Sequence, residues 1–157
     1  MGMKGIEAVE WAIETVLSAG MAAEIAALNS EYDDDYTLSD IATYIHHEEN
    51  LPASGYPAVV IEGMESVGRE LWIEAEDTLH TIWLYVWVSS ADKAALDRLP
   101  KRYVRAIKEI LYRDQSLGGV AHALAFERAQ FSPMLSKDEV YFKAARMVVH
   151  VLTEEVA

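Results

Sequence analysis

The densest run of potential ligands in the chain is His46-His47-Glu48-Glu49. Imidazole nitrogens and carboxylate oxygens both bind divalent metals, and acidic surroundings favour a cation. Adjacent residues nevertheless project in different directions from a helix or strand. Zinc proteases place two histidines four residues apart with a glutamate beside the first, and that spacing is absent. The simpler reading is a solvated loop, with a small metal-binding enzyme built on His46, His47 and nearby carboxylates as an alternative. Asp33-Asp34-Asp35, close to Glu31, offers hard oxygen ligands of the kind calcium takes. The glycine that an EF-hand loop needs at its sixth position is replaced by Leu38, so an acidic turn is expected. His80, His122 and His150 all fall in expected strands, where convergence would make a metal site or a pH-sensitive cluster. Without a register, three separate structural histidines are the simpler expectation.

Nucleophilic and phosphate chemistry has no local signature. There is no nucleophile elbow, Walker loop or dinucleotide glycine pattern, and Leu117-Gly118-Gly119 reads as a turn. Ser89-Ser90 and Ser132-Pro133 have no base at a defined spacing, and Glu74, Glu76 and Asp77 are neighbours in sequence only. The absence of cysteine excludes disulfides, thiol catalysis and Cys-ligated zinc or iron–sulfur sites. No enzyme activity, cofactor or metal is therefore expected.

Charge is the sharpest compositional feature. The 157 residues carry 13 Lys+Arg against 26 Asp+Glu, a formal net charge of −13. Between Gly5 and Gly68 there are 13 acidic residues and no Lys or Arg, so the remaining chain is neutral and the whole excess sits in the N-terminal two-fifths. Like charges at that density need solvent, a cation or a basic partner surface. An acidic chain is a poor general nucleic-acid binder, because phosphate neutralisation needs cations. At 52% hydrophobic residues the chain is too apolar for disorder, and its length suits one domain, 1–157. No targeting signal is expected: residues 11–28 are apolar but include Glu14 and Glu24, and 79–88 is too short to cross a bilayer as a helix.

The elements that must position these groups follow from periodicity. Ile6, Val9, Ile13, Val16, Leu17 and Gly20 recur at three- and four-residue steps, predicting a helix over 5–28 with Glu7, Glu10 and Glu14 on a separate stripe. Residues 29–56 read as a long acidic loop containing a short helix over 38–45. Ala58-Val59-Val60-Ile61 reads as a short strand closed by Glu62-Gly63. A hairpin over 69–76 and 78–89 is expected to turn at Glu76-Asp77. In its second arm Ile82, Leu84, Val86 and Val88 share one face, and Thr81, Trp83, Tyr85 and Trp87 share the other. Both faces are apolar or aromatic, so this strand is expected to be covered by a helix on one side and by a helix or partner subunit on the other. A second long helix is predicted over 91–113, with Pro100 starting or kinking it. Alternating stretches at 120–131 and 140–153 complete the chain, joined through 131–133 and 136–138. The expected class is α+β, a mostly antiparallel sheet of about five strands flanked by the two helices.

Two surfaces stand out for association. The second helix carries Arg98, Lys101, Arg102, Arg105, Lys108 and Arg113, opposite in sign to the segment around Asp33, Asp34 and Asp35. Unlike surfaces on one chain permit head-to-tail contacts, which generate rings when the rotation closes. The stripe Trp83, Tyr85, Trp87 has the composition of an interface core.

The order Tyr56-Pro57-Ala58-Val59-Val60-Ile61, the strand 80–88, the helix 102–111, Ser116-Leu117-Gly118-Gly119-Val120, an alternating strand to Phe131-Ser132-Pro133 and a closing strand ending in Thr153-Glu154-Glu155-Val156 resembles the tail terminator (tail completion, neck) proteins of tailed bacteriophages. The likeness covers roughly residues 57–156 and lies in patterns, not in a catalytic signature; the acidic segment 29–56 has no counterpart in it. The resemblance implies a structural virion protein forming a hexameric ring at the head-proximal end of the tail tube. Its partners would be the tail tube protein and the head–tail connector or stopper. DNA would pass through the lumen without specific recognition, no membrane would be involved, and assembly would take place in the bacterial host cytoplasm. An acidic regulator or DNA mimic that binds a basic partner is the competing reading from a different class.

Overall fold

The computed structural model describes residues 5–46, 55–72 and 75–156. Its elements run α1 (Ile6–Tyr32), β1 (Thr43–Ile45), β2 (Ala58–Trp72), β3 (Ala75–Ser90), α2 (Lys93–Arg113), β4 (Ala123–Phe131), β5 (Leu135–Lys137) and β6 (Val140–Val156). Six strands form one sheet in the order β1-β2-β3-β6-β4, with β5 paired to β6 beyond β4. All pairs are antiparallel except β1 with β2, so the sheet is mixed. The class is α+β, as expected from the alternation of periods.

Both helices lie on one face of the sheet. Val9, Ile13, Leu17 and Met21 of α1 and Leu96, Tyr103, Ile107 and Leu111 of α2 pack over Val59 and Ile61 of β2, Ile82, Leu84, Val86 and Val88 of β3, and Ala145, Met147, Val149 and Val151 of β6. By length and composition α1 could cross a membrane, but here its apolar stripe is consumed by this core. The two helices run antiparallel: Glu24 pairs with Arg113, Glu31 with Arg105 and Asp34 with Arg102. At Gly20 the absence of a side chain lets Ile110 approach, since a Cβ there would stand 3.2 Å from Ile110 Cγ2.

Several boundaries differ from the sequence expectation, each for a tertiary reason. α1 continues past residue 28 to Tyr32, because its last turn packs against the arginines of α2. Asp33 ends it in the left-handed conformation, with φ 43° and its N–H donated to the Asn29 carbonyl. The helix expected over 38–45 is absent. Asn29 instead donates to the Leu38 carbonyl and accepts from its N–H, at 2.9 and 2.8 Å. The Tyr103 hydroxyl donates to the Ser39 carbonyl at 2.7 Å and accepts from its N–H. Residues 43–45 then pair as β1. Side chains and a neighbouring strand thus satisfy backbone groups that a local helix would otherwise have satisfied.

β2 does not stop at Glu62-Gly63 but bulges there and continues to Trp72. The Gly63 N–H leaves the ladder and donates to Glu10 at 3.0 Å. Ile6 sits so close that a Cβ on Gly63 would fall 2.5 Å from its Cγ1. Glu76 and Asp77 lie inside β3, not at a turn; no glycine marks a turn there, and both arms of the hairpin are longer than expected. α2 is capped by the Asp92 carboxylate, which accepts from the Ala94 N–H, and runs through Pro100. The connection expected through 131–133 and 136–138 includes a further short strand, β5.

Gly63→Ala is expected to cost about 1–3 kcal/mol through the clash with Ile6. Ile6→Ala in the same chain should recover part of that loss, which urea midpoints of the two single variants and the double variant would reveal as non-additivity.

Candidate functional site

The residues singled out from the sequence separate into two places. The first is the seam between the helices. Arg102 is 5% exposed and donates from Nη1 and Nη2 to the two carboxylate oxygens of Asp34 at 2.9 and 2.6 Å, and from Nη1 also to the Tyr36 carbonyl. Its guanidinium lies 3.9 Å from the Tyr32 ring centroid. A bidentate carboxylate, a carbonyl and an aromatic face together satisfy a cation that burial would otherwise penalise. The hydrogen bonds from Arg102, opposed by partial burial and aided by the Tyr36 N–H, hold the Asp34 carboxyl down at about 2. Arg102 in turn is raised above the ordinary arginine value, chiefly by Asp34. Arg105 pairs with Glu31 and Tyr32, and is raised likewise.

Arg102 and Arg105, expected on an association surface, are both engaged by the C-terminal end of α1 in their own chain, Arg102 buried and Arg105 still exposed. Asp33 serves as the α1 cap, Asp34 as the Arg102 partner, and Asp35 is exposed. Arg98, stacked 5.2 Å from the Tyr36 ring, and Lys101 line an open groove of about 450 Å³ with Tyr32, Tyr36, Asp97 and Arg102. Neither Arg98 nor Lys101 has a carboxylate partner among the described residues.

The second place is the sheet face that no helix covers. The β3 side chains Trp83, Tyr85 and Trp87 stand on it beside Ala58 and Val60 of β2 and Ala144, Arg146 and Val148 of β6. Trp83 and Tyr85 meet edge to face, with centroids 6.5 Å apart. Arg146 lies over the Trp83 ring at 4.5 Å and donates to Gln130. Tyr85, Trp87, Gln130, Phe131, Ser132, Ala144 and Arg146 frame a shallow groove of about 290 Å³. The indole N–H of Trp87 is buried there without a hydrogen-bond partner among the described residues. The alternation in sequence marks the aromatic stripe but not Arg146 and Gln130, which the β3–β6 and β4–β6 registers bring beside it.

The histidines do not converge. His80 lies on the helix-covered face, 1% exposed, with Nδ1 2.8 Å from Ser66 Oγ and Nε2 3.0 Å from Thr153 Oγ1. His150 lies on the open face near Thr81 and Glu127, and His122 is exposed before β4. His46 packs against Trp11, with centroids 4.5 Å apart, and approaches Glu14 at 3.6 Å. Burial, then Asp40 and Glu14, push the neighbouring Tyr44 hydroxyl well above its ordinary value. His47, Glu48 and Glu49 lie outside the described residues. Among the described residues no three His, Asp or Glu side chains gather as metal ligands.

No protein-family model and no curated protein matches the chain. Among solved structures, a chain described as "Virion of native gene transfer agent (GTA) particle" aligns over 90% of this chain and 97% of its own at 12% identity. Its TM-score is 0.38, a weak likeness to a virion-particle chain.

Two outcomes follow for these groups. Asp34 has its carboxyl held below the ordinary 3.8, so its pairing stabilises the fold fully above that value and is lost as pH falls toward about 2. Asp34→Asn should therefore flatten the acid limb of a melting-temperature profile between about pH 4 and pH 2. His80→Phe leaves the Ser66 and Thr153 hydroxyls without their ring partner and should cost about 1–3 kcal/mol, measured by chemical denaturation.

Proposed function

We propose that the protein is a non-enzymatic virion assembly protein of the tail-terminator type. It caps the head-proximal end of a tail tube as a ring and joins the tail to the head connector. The observation that carries this reading is the aromatic sheet face, on which no helix lies and where Trp83 and Trp87 stay half-buried. A one-sided layer of helix on a sheet whose central strand is apolar on both faces is the construction of a part that meets protein. The order of a leading helix, strands, a second helix and returning strands supports the reading that the sequence resemblance implies. Catalytic machinery has no place in the reading, which needs surfaces and not reacting groups. The acidic excess would suit a lumen that passes DNA by repelling its phosphates. Assembly would take place in the host cytoplasm and the product would reside in the virion neck.

The test uses tail-tube protein from the same genome. Electron microscopy of tubes polymerising alone and with this chain should show short tubes capped at one end when the chain is present. Tubes that grow unchanged, with the chain left unbound in the supernatant, would overturn the proposal. Tight binding to a DNA-binding protein in place of the tube would favour the mimic reading.

A further inference from the structure

The groove between the C-terminal end of α1 and the first turns of α2 holds cations that the chain itself leaves without acids. We infer that it is a docking site for an acidic peptide segment of a protein partner, whose carboxylates meet Arg98 and Lys101 and whose apolar groups lie on Tyr32 and Tyr36. Three features meet in that one place.

The first is unspent charge. Acids outnumber cations 26 to 13 in this chain, and on α2 Arg102, Arg105 and Arg113 each find one. Arg98 and Lys101 lie three residues apart and therefore side by side on the helix. Both are exposed, and neither has a carboxylate partner among the described residues. The neighbouring Asp97 reaches instead to Lys143, at 3.7 Å. Like charges at that spacing repel, and an incoming carboxylate relieves the repulsion.

The second is a surface set before any ligand arrives. Arg102 is held by both oxygens of Asp34 and by the Tyr36 carbonyl, and its guanidinium lies against the Tyr32 ring, so the inner wall of the groove is fixed. Arg98 stacks on Tyr36, which limits the rotamers open to it. Tyr32 keeps 39% of its surface exposed, and the groove of about 450 Å³ falls within the range of ligand clefts. Side chains already held in place lose little conformational freedom on binding.

The third is selectivity. Asp97 lines the groove with its side chain 70% exposed, and Asp34 is bonded to Arg102 at the inner wall. A phosphate at every nucleotide cannot be placed there without meeting these acids, and the excess of −13 repels a nucleic-acid backbone at longer range. A peptide spaces its carboxylates and carries apolar side chains between them. It can set its acids on Arg98 and Lys101 and lay the rest on the tyrosine rings. Arginine clusters that take acidic motifs work in this way.

The inference concerns the helical layer and does not rest on the tail-terminator reading. The probe is a short fluorescein-labelled peptide of alternating glutamate and leucine, whose anisotropy should rise with the full chain at low ionic strength and fall back as salt is added. The same peptide with glutamine for glutamate should not bind. Arg98→Glu with Lys101→Glu should weaken binding about tenfold or more. Both side chains are exposed and outside any ion pair among the described residues, so the fold should survive, as circular dichroism and the melting temperature check. Arg98→Gln with Lys101→Gln removes the charges without adding new ones and should weaken binding about fivefold. Arg128→Glu with Lys137→Glu changes net charge as much as the first pair, but on β4 and β5, and should leave binding within about twofold. No binding, equal binding of the glutamine peptide, or an equal loss in the β4–β5 pair would overturn the proposal. A single-stranded oligodeoxynucleotide that binds more tightly than the peptide, and is lost with Arg98 and Lys101, would give the groove to nucleic acid and overturn it as well. Self-association that the same reversal abolishes would make a second copy the occupant, against the separate partner inferred here. A chain that binds the peptide but leaves tail tubes uncapped would keep this inference and remove the function proposed above.

Discussion

Strand β3 is apolar on both faces, and the chain supplies helix for only one of them. Most of the architecture follows from that imbalance. The even-numbered side chains of β3, from Ile82 to Val88, are sealed under α1 and α2. On the other face Tyr85 is buried and Trp83 and Trp87 are half-buried, with Arg146 stacked on Trp83 and the β4 residues Gln130 and Phe131 beside them. Among the described residues the indole N–H of Trp87 is buried on that face without a hydrogen-bond partner.

The helical layer that does exist is held in one piece by charge as well as by packing. Three carboxylates along α1 and just beyond it reach three arginines of α2 in reverse order, as an antiparallel pair requires. The pair at Arg102 differs from the other two because its guanidinium is buried and engaged by Asp34, Tyr36 and Tyr32, whereas in the Arg113 pair it is the Glu24 carboxylate that is buried. Exposed pairs contribute little in water, whereas removing one partner of a buried one strands a charge. Arg102 therefore fixes the path of residues 33–39 as well as the crossing of the helices, and Tyr103 on the next position pins Ser39. The acidic excess is reduced by these internal pairs but not abolished, and Glu62 and Glu65 remain on the flank of the open face.

The parts legible from sequence were those governed by local period. Both long helices, the alternation in β3 and β6, the α+β class and the aromatic stripe all follow from side chains spaced at 3.6 or 2 residues. The failures share a cause. The helix expected over 38–45 gave way because Asn29 and Tyr103, distant in sequence, offered its backbone better partners. Glu62-Gly63 looked like an ending because glycine punctuates strands, and it is instead a bulge that admits Ile6. The histidines of β3 and β6 fell on opposite faces through a register that no local pattern announces.

By itself the sequence determined the elements, the side on which each strand is apolar, and the confinement of negative charge to the first two-fifths of the chain, because these depend on neighbours within a few positions. Only the tertiary structure decided which charges are spent inside the molecule and which face outward. Arg102 and Asp34 are 68 residues apart in sequence, and Glu62 and Arg128 come to lie on one row of the sheet only through the register of four strands. Pairing at that distance is set by how helices cross and strands align, and those are properties of the packed whole.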